Sequence, residues 1–308
     1  MANSYAGIDL SQLPKPNIVE TLDFESILAN KKQYLLSLVK DEHREEVAAT
    51  LELESEPLTI LAQSGAYREL VMRQRINDAA RAVMLAYAVG TDLDQIAGNF
   101  QVKRLVITEA DPTTVPPTAE VLEADASLRR RAQMAFEGFS TAGPSGAYVF
   151  HGLSAHPNVL DIGVDGPKDR PGVVEIAVLS REGSGVADAA LVNAVRDRLN
   201  TKDIRPLTDH VTISSADIVS YTVHAMLTFF EGPDTTVVMQ AARDALAAYA
   251  NEQHKMGRDI TRSGIFAALH REGVQNVALT LPAADMVIAW NQAPYCTGVT
   301  LENGGTGE

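Results

Sequence analysis

The spacing of apolar residues changes near residue 158, and this change limits the folds open to the chain. From Asp23 up to that point, apolar residues recur every three or four positions, as on one face of an α-helix. Beyond it, short β-branched runs such as 173–178 alternate with amphipathic helical patterns. We therefore predict an α+β protein: an N-terminal long-helix region followed by two or more small α+β modules.

The longest helical pattern runs from Pro57 to Gly90. Proline is favoured at the start of a helix and glycine just after its end. A continuous helix over this range would be about 50 Å long, longer than one small domain needs, which favours a bundle shared between chains. Its apolar stripe comprises Leu58, Leu61, Leu70, Val83, Met84 and Tyr87.

The 308 residues are enough for about two domains and an extension. Changes of pattern and clusters of proline divide the chain further. The predicted segments are an extended arm at 1–20, a helical region at 21–104, a linker or loop at 105–122, a first α+β module at 123–215, a second at 216–303 and a polar tail at 304–308. We also predict a strand at 285–290 and helix N-caps at Thr91, Asp125 and Ser145.

Acidic residues outnumber basic ones, giving a formal net charge of −14. A nucleic-acid-binding protein needs clustered basic residues, and the longest basic run here is Arg129-Arg130-Arg131. On a helix these three point in different directions, which favours a solvated face or salt bridges to a partner.

The single cysteine, Cys296, rules out an internal disulfide and a zinc site made of cysteines. With no secretory signal and no apolar run of about 20 residues, we expect a cytoplasmic origin, no nucleic acid and no membrane insertion.

The segment REGSGVAD most resembles a cofactor motif, because it follows a predicted strand and opens a helix. Gly183 and Gly185 fit the start of a dinucleotide fingerprint, but Asp188 replaces the third glycine. A carboxylate there would repel a pyrophosphate at the helix N-terminus. We therefore interpret the segment as a plain strand–turn–helix connection.

The remaining candidates give no catalytic or metal site. Ser145 lacks the glycine spacing and the preceding strand of a nucleophile elbow. Asp92 and Asp94 are two apart on a helix, so they face different sides. The histidines form no H-x-x-x-H or H-E-x-x-H pair; they are His43, His151, His156, His210, His224, His254 and His270. We predict no catalytic residue, no cofactor-binding residue and no metal ligand.

Three segments, in order, resemble the baseplate J-like proteins of contractile phage tails and related injection machines. The first is TDLDQIAGNFQVKR, with Asp92, Leu93, Asp94, Ile96, Ala97 and Arg104. The second runs from Asp125 through Arg131 and the residues Gly143-Pro144-Ser145-Gly146-Ala147-Tyr148 to Asp161. The third is PGVVEIAVLS followed by Arg205-Pro206-Leu207-Thr208-Asp209. Together they span about 57–280, and the chain length is similar to that of the shorter members.

The resemblance implies a structural, non-enzymatic component of a contractile phage tail baseplate wedge. It implies pairing with a second copy, with a tail protein I-like wedge partner and with a lysozyme-like small wedge protein, in a ring around central hub and spike proteins. The protein would then be in the virion tail, assembled in the cytoplasm of the host bacterium. Two alternatives stay open: a part of a phage-like injection device, and an enzyme of unknown type that uses the C-terminal modules.

Overall fold

The computed structural model describes residues 8, 10, 13–14, 16–139, 143–232 and 234–307. The chain divides into two compact units, one comprising Ile8–Asn99 and the other Phe100–Glu308. The first is helical and the second holds the small sheets, so the predicted α+β class is confirmed. Among these residues, no helix combines the length and the apolar character that a bilayer span requires.

The N-terminal unit is built on two helices that pack side by side. Asp23 caps the first of them by accepting a hydrogen bond from the Ser26 backbone N–H at 2.9 Å. Ile27 and Leu28 then pack against Ala62 and Ala66, whose small side chains let the two backbones approach. The helices of this unit are α1 (Phe24–Leu38), α2 (Arg44–Leu51), α3 (Pro57–Ala82) and α4 (Gly90–Asn99).

Helix α3 is shorter than predicted, because it ends at Ala82 and not near Gly90. Its 26 residues give a length of about 39 Å. The residues that follow are apolar and form turns, so the apolar spacing continues where the helix does not. Gly90 has a φ of 54° and begins α4, which places Thr91 inside that helix and not at its N-cap as predicted.

Part of the predicted arm at 1–20 lies outside the described residues, namely 1–7, 9, 11–12 and 15. At its end, the backbone of Glu20 is held by the buried side chain of Asn77 on α3. The Glu20 N–H donates to Asn77 Oδ1 at 3.0 Å, and Asn77 Nδ2 donates to the Glu20 carbonyl at 2.9 Å. The last residue of the predicted arm therefore lies against the N-terminal unit.

The predicted linker at 105–122 contains a small β-hairpin. Strands β1 (Val106–Thr108) and β2 (Val121–Leu122) pair antiparallel, and a bridge between Asp111 and Thr118 extends the pairing. Every residue of both strands is exposed.

Two predicted N-caps are wrong by one residue. Asp125 and Ser145 are the first residues of α5 (Asp125–Gln133) and α6 (Ser145–Leu153), and the caps are Ala124 and Pro144. Asp125 accepts a hydrogen bond from Arg104, and an extended Pro144 leads into α6. A 3₁₀ helix at Ala135–Phe139 lies between the two helices.

The first sheet has the order β3-β4-β5, with strands β3 (Val159–Asp165), β4 (Val173–Ser180) and β5 (His210–Ser215). Strands β3 and β4 are antiparallel, whereas β4 and β5 are parallel. A parallel neighbour requires a crossover, and helix α7 (Ala189–Leu199) supplies it. Val195 and Leu199 of α7 are buried in the same core as Ile176 and Val178 of β4.

The second sheet has the order β7-β6-β8, with β6 (Asp217–Phe230) in the centre, β7 (Val274–Leu281) antiparallel and β8 (Gln292–Gly307) parallel to it. Helices α8 (Thr235–Gln253) and α9 (Arg262–Leu269) connect β6 to β7. Alternate residues of β6 form the core of this sheet: Tyr221, Val223, Ala225, Leu227 and Phe229.

Two C-terminal predictions are wrong. Residues 285–290 form no strand but a single bridge between Met286 and Ile260, and Ile288 is buried without ladder pairing. The predicted tail at 304–308 belongs to β8 as far as Gly307, which pairs with Phe230. Backbone hydrogen bonds to β6 extend this strand through a glycine-rich sequence that carries no strand pattern of its own.

One residue, Ala216, separates the first sheet from the second. Ala216 is buried, and its N–H donates to the Val178 carbonyl at 2.8 Å. Nearby, a Cβ on Gly163 would lie 2.4 Å from the Trp290 carbonyl oxygen, so only glycine fits this approach between β3 and the segment before β8. The two sheets therefore meet across a packed junction.

The alternation in β6 gives a matched pair of variants. Leu227→Ala should lower the free energy of unfolding by about 2–5 kcal/mol, because it leaves a cavity in the core. Met226→Ala, at the exposed position next to it, should lower the free energy of unfolding far less. Urea denaturation of the full chain measures both, and equal losses would contradict the assigned faces of the strand.

Candidate functional site: a charged joint and an adjoining cationic pocket

The three consecutive arginines of α5 have different environments. Arg131 lies on the buried side of the helix with Leu128 and Ala132. Arg130 reaches the first sheet, where its guanidinium contacts Asp161. The expected solvated basic face is therefore not what the structure shows for Arg130 and Arg131.

Arg131 forms a buried ion pair with Glu123. Their side chains are only 6% and 5% exposed, and Arg131 Nη2 lies 2.6 Å from Glu123 Oε2. Arg131 Nε donates to Glu123 Oε1 at 3.0 Å, so the pair is bidentate. Arg131 Nη2 also donates to the Lys103 carbonyl, and Glu123 Oε2 accepts from the Leu105 N–H at 3.1 Å.

Arg104 adds a second ion pair beside the first. Its Nη1 donates to the Glu123 carbonyl at 2.5 Å, and its Nη2 donates to Asp125 Oδ1 at 2.7 Å. These contacts fix both ends of the hairpin segment to the start of α5. We call the two pairs, Arg131–Glu123 and Arg104–Asp125, the charged joint.

Asp161 ties the first sheet to both neighbouring regions. Its Oδ1 lies 2.6 Å from Arg130 Nη2 and accepts from the Ile162 N–H, while Oδ2 accepts from the Met256 N–H at 3.0 Å. A buried carboxylate is stable when its oxygens are hydrogen-bonded in this way. Asp161 therefore connects α5, β3 and the segment after α8.

A cavity of about 240 Å³ opens next to the joint. Arg130, Arg131, Arg181 and Lys255 contribute basic groups to its walls, and Glu123 contributes one carboxylate. Partial burial lowers the pKa of Arg181; the nearby Arg130 and Arg131 guanidinium groups lower it further, while Glu123 opposes this shift. We call this cavity the cationic pocket.

The glycine-proline turn before α6 packs against the segment 205–209. Gly143 has a φ of 72°, and a Cβ there would lie 2.9 Å from Asp209 Oδ2. The buried Tyr148 hydroxyl donates to the same Asp209 oxygen at 2.7 Å. Burial and this hydrogen bond raise the pKa of Tyr148. Two of the segments that carry the family resemblance therefore meet at this contact.

The sequence candidates occupy local structural roles. Gly183 and Gly185 both have positive φ in the turn after β4, and Asp188 caps α7 by accepting from the Leu191 N–H at 2.8 Å. The predicted strand–turn–helix connection is thus confirmed. Asp92 and Asp94 both lie in α4.

The other candidates do not form a constellation. No group of three or more His, Cys, Asp or Glu residues within the described ranges is placed to hold a metal ion. Burial raises the pKa of the Cys296 thiol, and a backbone hydrogen bond with Gly298 opposes this rise. His224 contacts Glu302 at 3.0 Å, and His254 contacts the Pro294 carbonyl at 2.6 Å.

His151 is the buried histidine of this region. Burial lowers its pKa below the ordinary value of 6.5, the Arg198 charge lowers it further, and a backbone hydrogen bond with Gly138 opposes both. Its Nδ1 has no hydrogen-bond partner among the described residues. The folded protein therefore favours the neutral imidazole.

The charged joint should be sensitive to loss of one partner. Glu123→Gln leaves the Arg131 guanidinium buried without a countercharge, which should cost about 3–5 kcal/mol of unfolding free energy. The double variant Glu123→Leu with Arg131→Met should cost less than the single variant, because no charge stays buried. Urea denaturation measures both, and a double variant that is the less stable of the two would contradict this account.

His151 should make stability depend on pH. As the pH falls below about 6.5, His151 is protonated more readily in the unfolded chain than in the folded protein. Its contribution to the free energy of unfolding is therefore complete above that pH and is lost as the pH drops. His151→Phe should therefore reduce the difference in unfolding free energy between about pH 7.5 and about pH 5.5. The exposed His43→Gln is the control, and an unchanged difference in His151→Phe would refute the assignment.

Comparisons with known proteins agree with the order of these elements. Residues 54–111 match the model of the baseplate J-like N-terminal domain, residues 140–215 the central domain, and residues 221–302 the C-terminal domain. Baseplate protein J of Escherichia phage P2 is 52% identical over 301 residues, covering 98% of this chain and 99% of that protein. A chain in a cryo-EM structure of the anti-feeding prophage baseplate is 14% identical with a TM-score of 0.42, over 60% of this chain and 46% of that chain.

A helical unit followed by two sheets, matched in order by these three domain models, defines a baseplate protein. The chain belongs to the baseplate J-like family, because it is 52% identical to baseplate protein J of Escherichia phage P2 over nearly its whole length. The predicted family and the predicted role of a structural baseplate component are confirmed.

Proposed function

We propose that this chain builds the wedge of a contractile phage tail baseplate by pairing with a second copy and with other wedge proteins. The observation that supports this most strongly is the 52% identity to a baseplate protein J across 98% of the chain. Because both chains are covered almost completely, the likeness extends over the helical unit and both sheets.

The outer side of α3 offers a surface for such pairing. Leu61, Met72 and Ile76 are 69%, 67% and 58% exposed, and Ile60, Tyr67 and Val71 are exposed as well. Ala62 and Ala66, which contact α1, lie on the opposite side of the helix. A helix that is apolar on its solvent side as well as its core side is suited to burial in a bundle, and large exposed apolar patches mark interfaces.

The stripe predicted from the sequence needs correction. Leu70 packs on the core between α1 and α3, so it does not belong to the outer surface. Leu58 and Met84 are half-buried, whereas Leu61 and Val83 are exposed. We call the set Ile60, Leu61, Tyr67, Val71, Met72 and Ile76 the outer face of α3.

The proposed partners are a second copy at the outer face of α3, a tail protein I-like wedge protein, a lysozyme-like small wedge protein, and the central hub and spike. The proposed location is the virion tail, with assembly in the host bacterial cytoplasm. The proposal assigns no catalytic residue, cofactor or metal to the chain. Their absence, like the boundaries of the modules, stays a prediction.

Charging the outer face should block wedge assembly. Met72→Glu with Ile76→Glu places two carboxylates at exposed positions, where burial against a partner helix would desolvate them. The isolated chain should keep its fold, because neither side chain contributes to a core. Mixtures with the partner proteins, analysed by size exclusion and cryo-EM, should show free chain and few wedges.

The matched control adds the same charge elsewhere on this unit. Asn30→Asp with Gln33→Glu alters two exposed polar positions of α1. This variant should assemble normally. Complete wedges from the Met72 and Ile76 variant would show that the outer face is not the interface.

A further inference from the structure

We propose that the cationic pocket binds a carboxylate side chain of another baseplate protein, and so fixes that protein to the first sheet. This inference rests on the proposed function, since the ligand is a group on an assembly partner. It concerns a surface of the C-terminal unit, separate from the outer face of α3.

The charges around the pocket do not balance. Arg131 is neutralised by Glu123 and Arg130 by Asp161, through contacts of 2.6 Å each. Arg181 and Lys255 have no ion pair within the described part of the chain. Two positive charges are thus uncompensated, in a protein whose net charge is −14.

The hydrogen-bonding groups of these two residues are partly unused. Arg181 Nε donates to the Pro157 carbonyl and Nη2 to Ser127 Oγ, both at 2.8 Å. These bonds hold the guanidinium at the pocket and leave Nη1 without a partner among the described residues. The Lys255 ammonium makes no hydrogen bond there either. A carboxylate has two oxygens that accept hydrogen bonds from cationic donors, and charge-assisted hydrogen bonds are the stronger ones.

The size and the walls of the pocket favour a side chain over a free ligand. Its volume of about 240 Å³ is below the range of about 300–1,000 Å³ of small-molecule sites. Ala126, Leu153, Val159 and Leu160 give it apolar walls. An aspartate or glutamate with an apolar neighbour would cover these walls, whereas inorganic phosphate offers the same negative oxygens but would leave them wet.

Carbodiimide cross-linking tests the contact in the complete particle. The reagent joins an amine to a touching carboxylate as an amide, and takes up the water that is lost. In baseplates purified from the phage that encodes this chain, we expect Lys255 to be cross-linked to an aspartate or glutamate of another chain. Lys255 should also lose its reactivity toward an acetylating reagent on assembly. Lys168 and Lys202, exposed on the same unit, should keep theirs.

The variant Arg181→Gln with Lys255→Gln removes both positive charges and should lower incorporation into baseplates about tenfold, a factor equal to about 1.4 kcal/mol. Lys168→Gln with Lys202→Gln is the matched control and should incorporate normally. Circular dichroism of both purified variants should match the original chain.

Three results would overturn the inference. One is a Lys255 that acetylates equally in assembled and isolated chain. Another is protection of Lys255 that appears only when inorganic phosphate is present and yields no cross-link, which would assign the pocket to a free anion. The third is normal incorporation of the Arg181 and Lys255 variant. If the particles contained none of this chain, both the proposed function and this inference would fail. If the chain is in the particles but Lys255 is still reactive, only this inference fails.

Discussion

The ion pair between Arg131 and Glu123 is the contact on which the start of the C-terminal unit depends. Both side chains are buried, so the loss of either one would leave the other as an unpaired buried charge. Glu123 also accepts a hydrogen bond from the Leu105 N–H, and Arg131 donates to the Lys103 carbonyl. These contacts hold the segment before the hairpin and the helix after it in one arrangement. Buried pairs of this kind often add little net stability. Their contribution here is to select one geometry for segments that lack a large apolar core of their own.

The sequence predicted the elements whose side chains alternate or recur with a clear period. In β6, alternate residues from Tyr221 to Phe229 are buried, and the pattern of the chain shows this directly. The pattern failed where backbone pairing or turns decide the structure. The end of α3 cannot be predicted from the apolar pattern, because the turn after Ala82 is as apolar as the helix. The end of β8 cannot be predicted from the sequence pattern, because hydrogen bonds with β6 hold its glycines in the strand.

No sequence motif indicates the charged joint, because Arg129-Arg130-Arg131 resembles a single basic cluster. Helical spacing held the missing signal: Leu128 and Arg131 are three residues apart and share a face, so one arginine had to point where an apolar side chain points. The identity of its partner, Glu123, could not be derived, since the carboxylate lies outside the helix. In the same way, Tyr148 and Asp209 are 61 positions apart and meet at 2.7 Å. The segments that identify the family are, at these residues, contacts between elements and not reactive groups.

The single residue between β5 and β6 has a mechanical consequence. Ala216 is buried and hydrogen-bonded to β4, so the chain crosses from one sheet to the other without a flexible linker. Gly163 against the Trp290 carbonyl and Asp161 against the Met256 N–H brace the same crossing. A displacement of one sheet is therefore passed to the other through continuous backbone and packed side chains, with no flexible segment between them to absorb it.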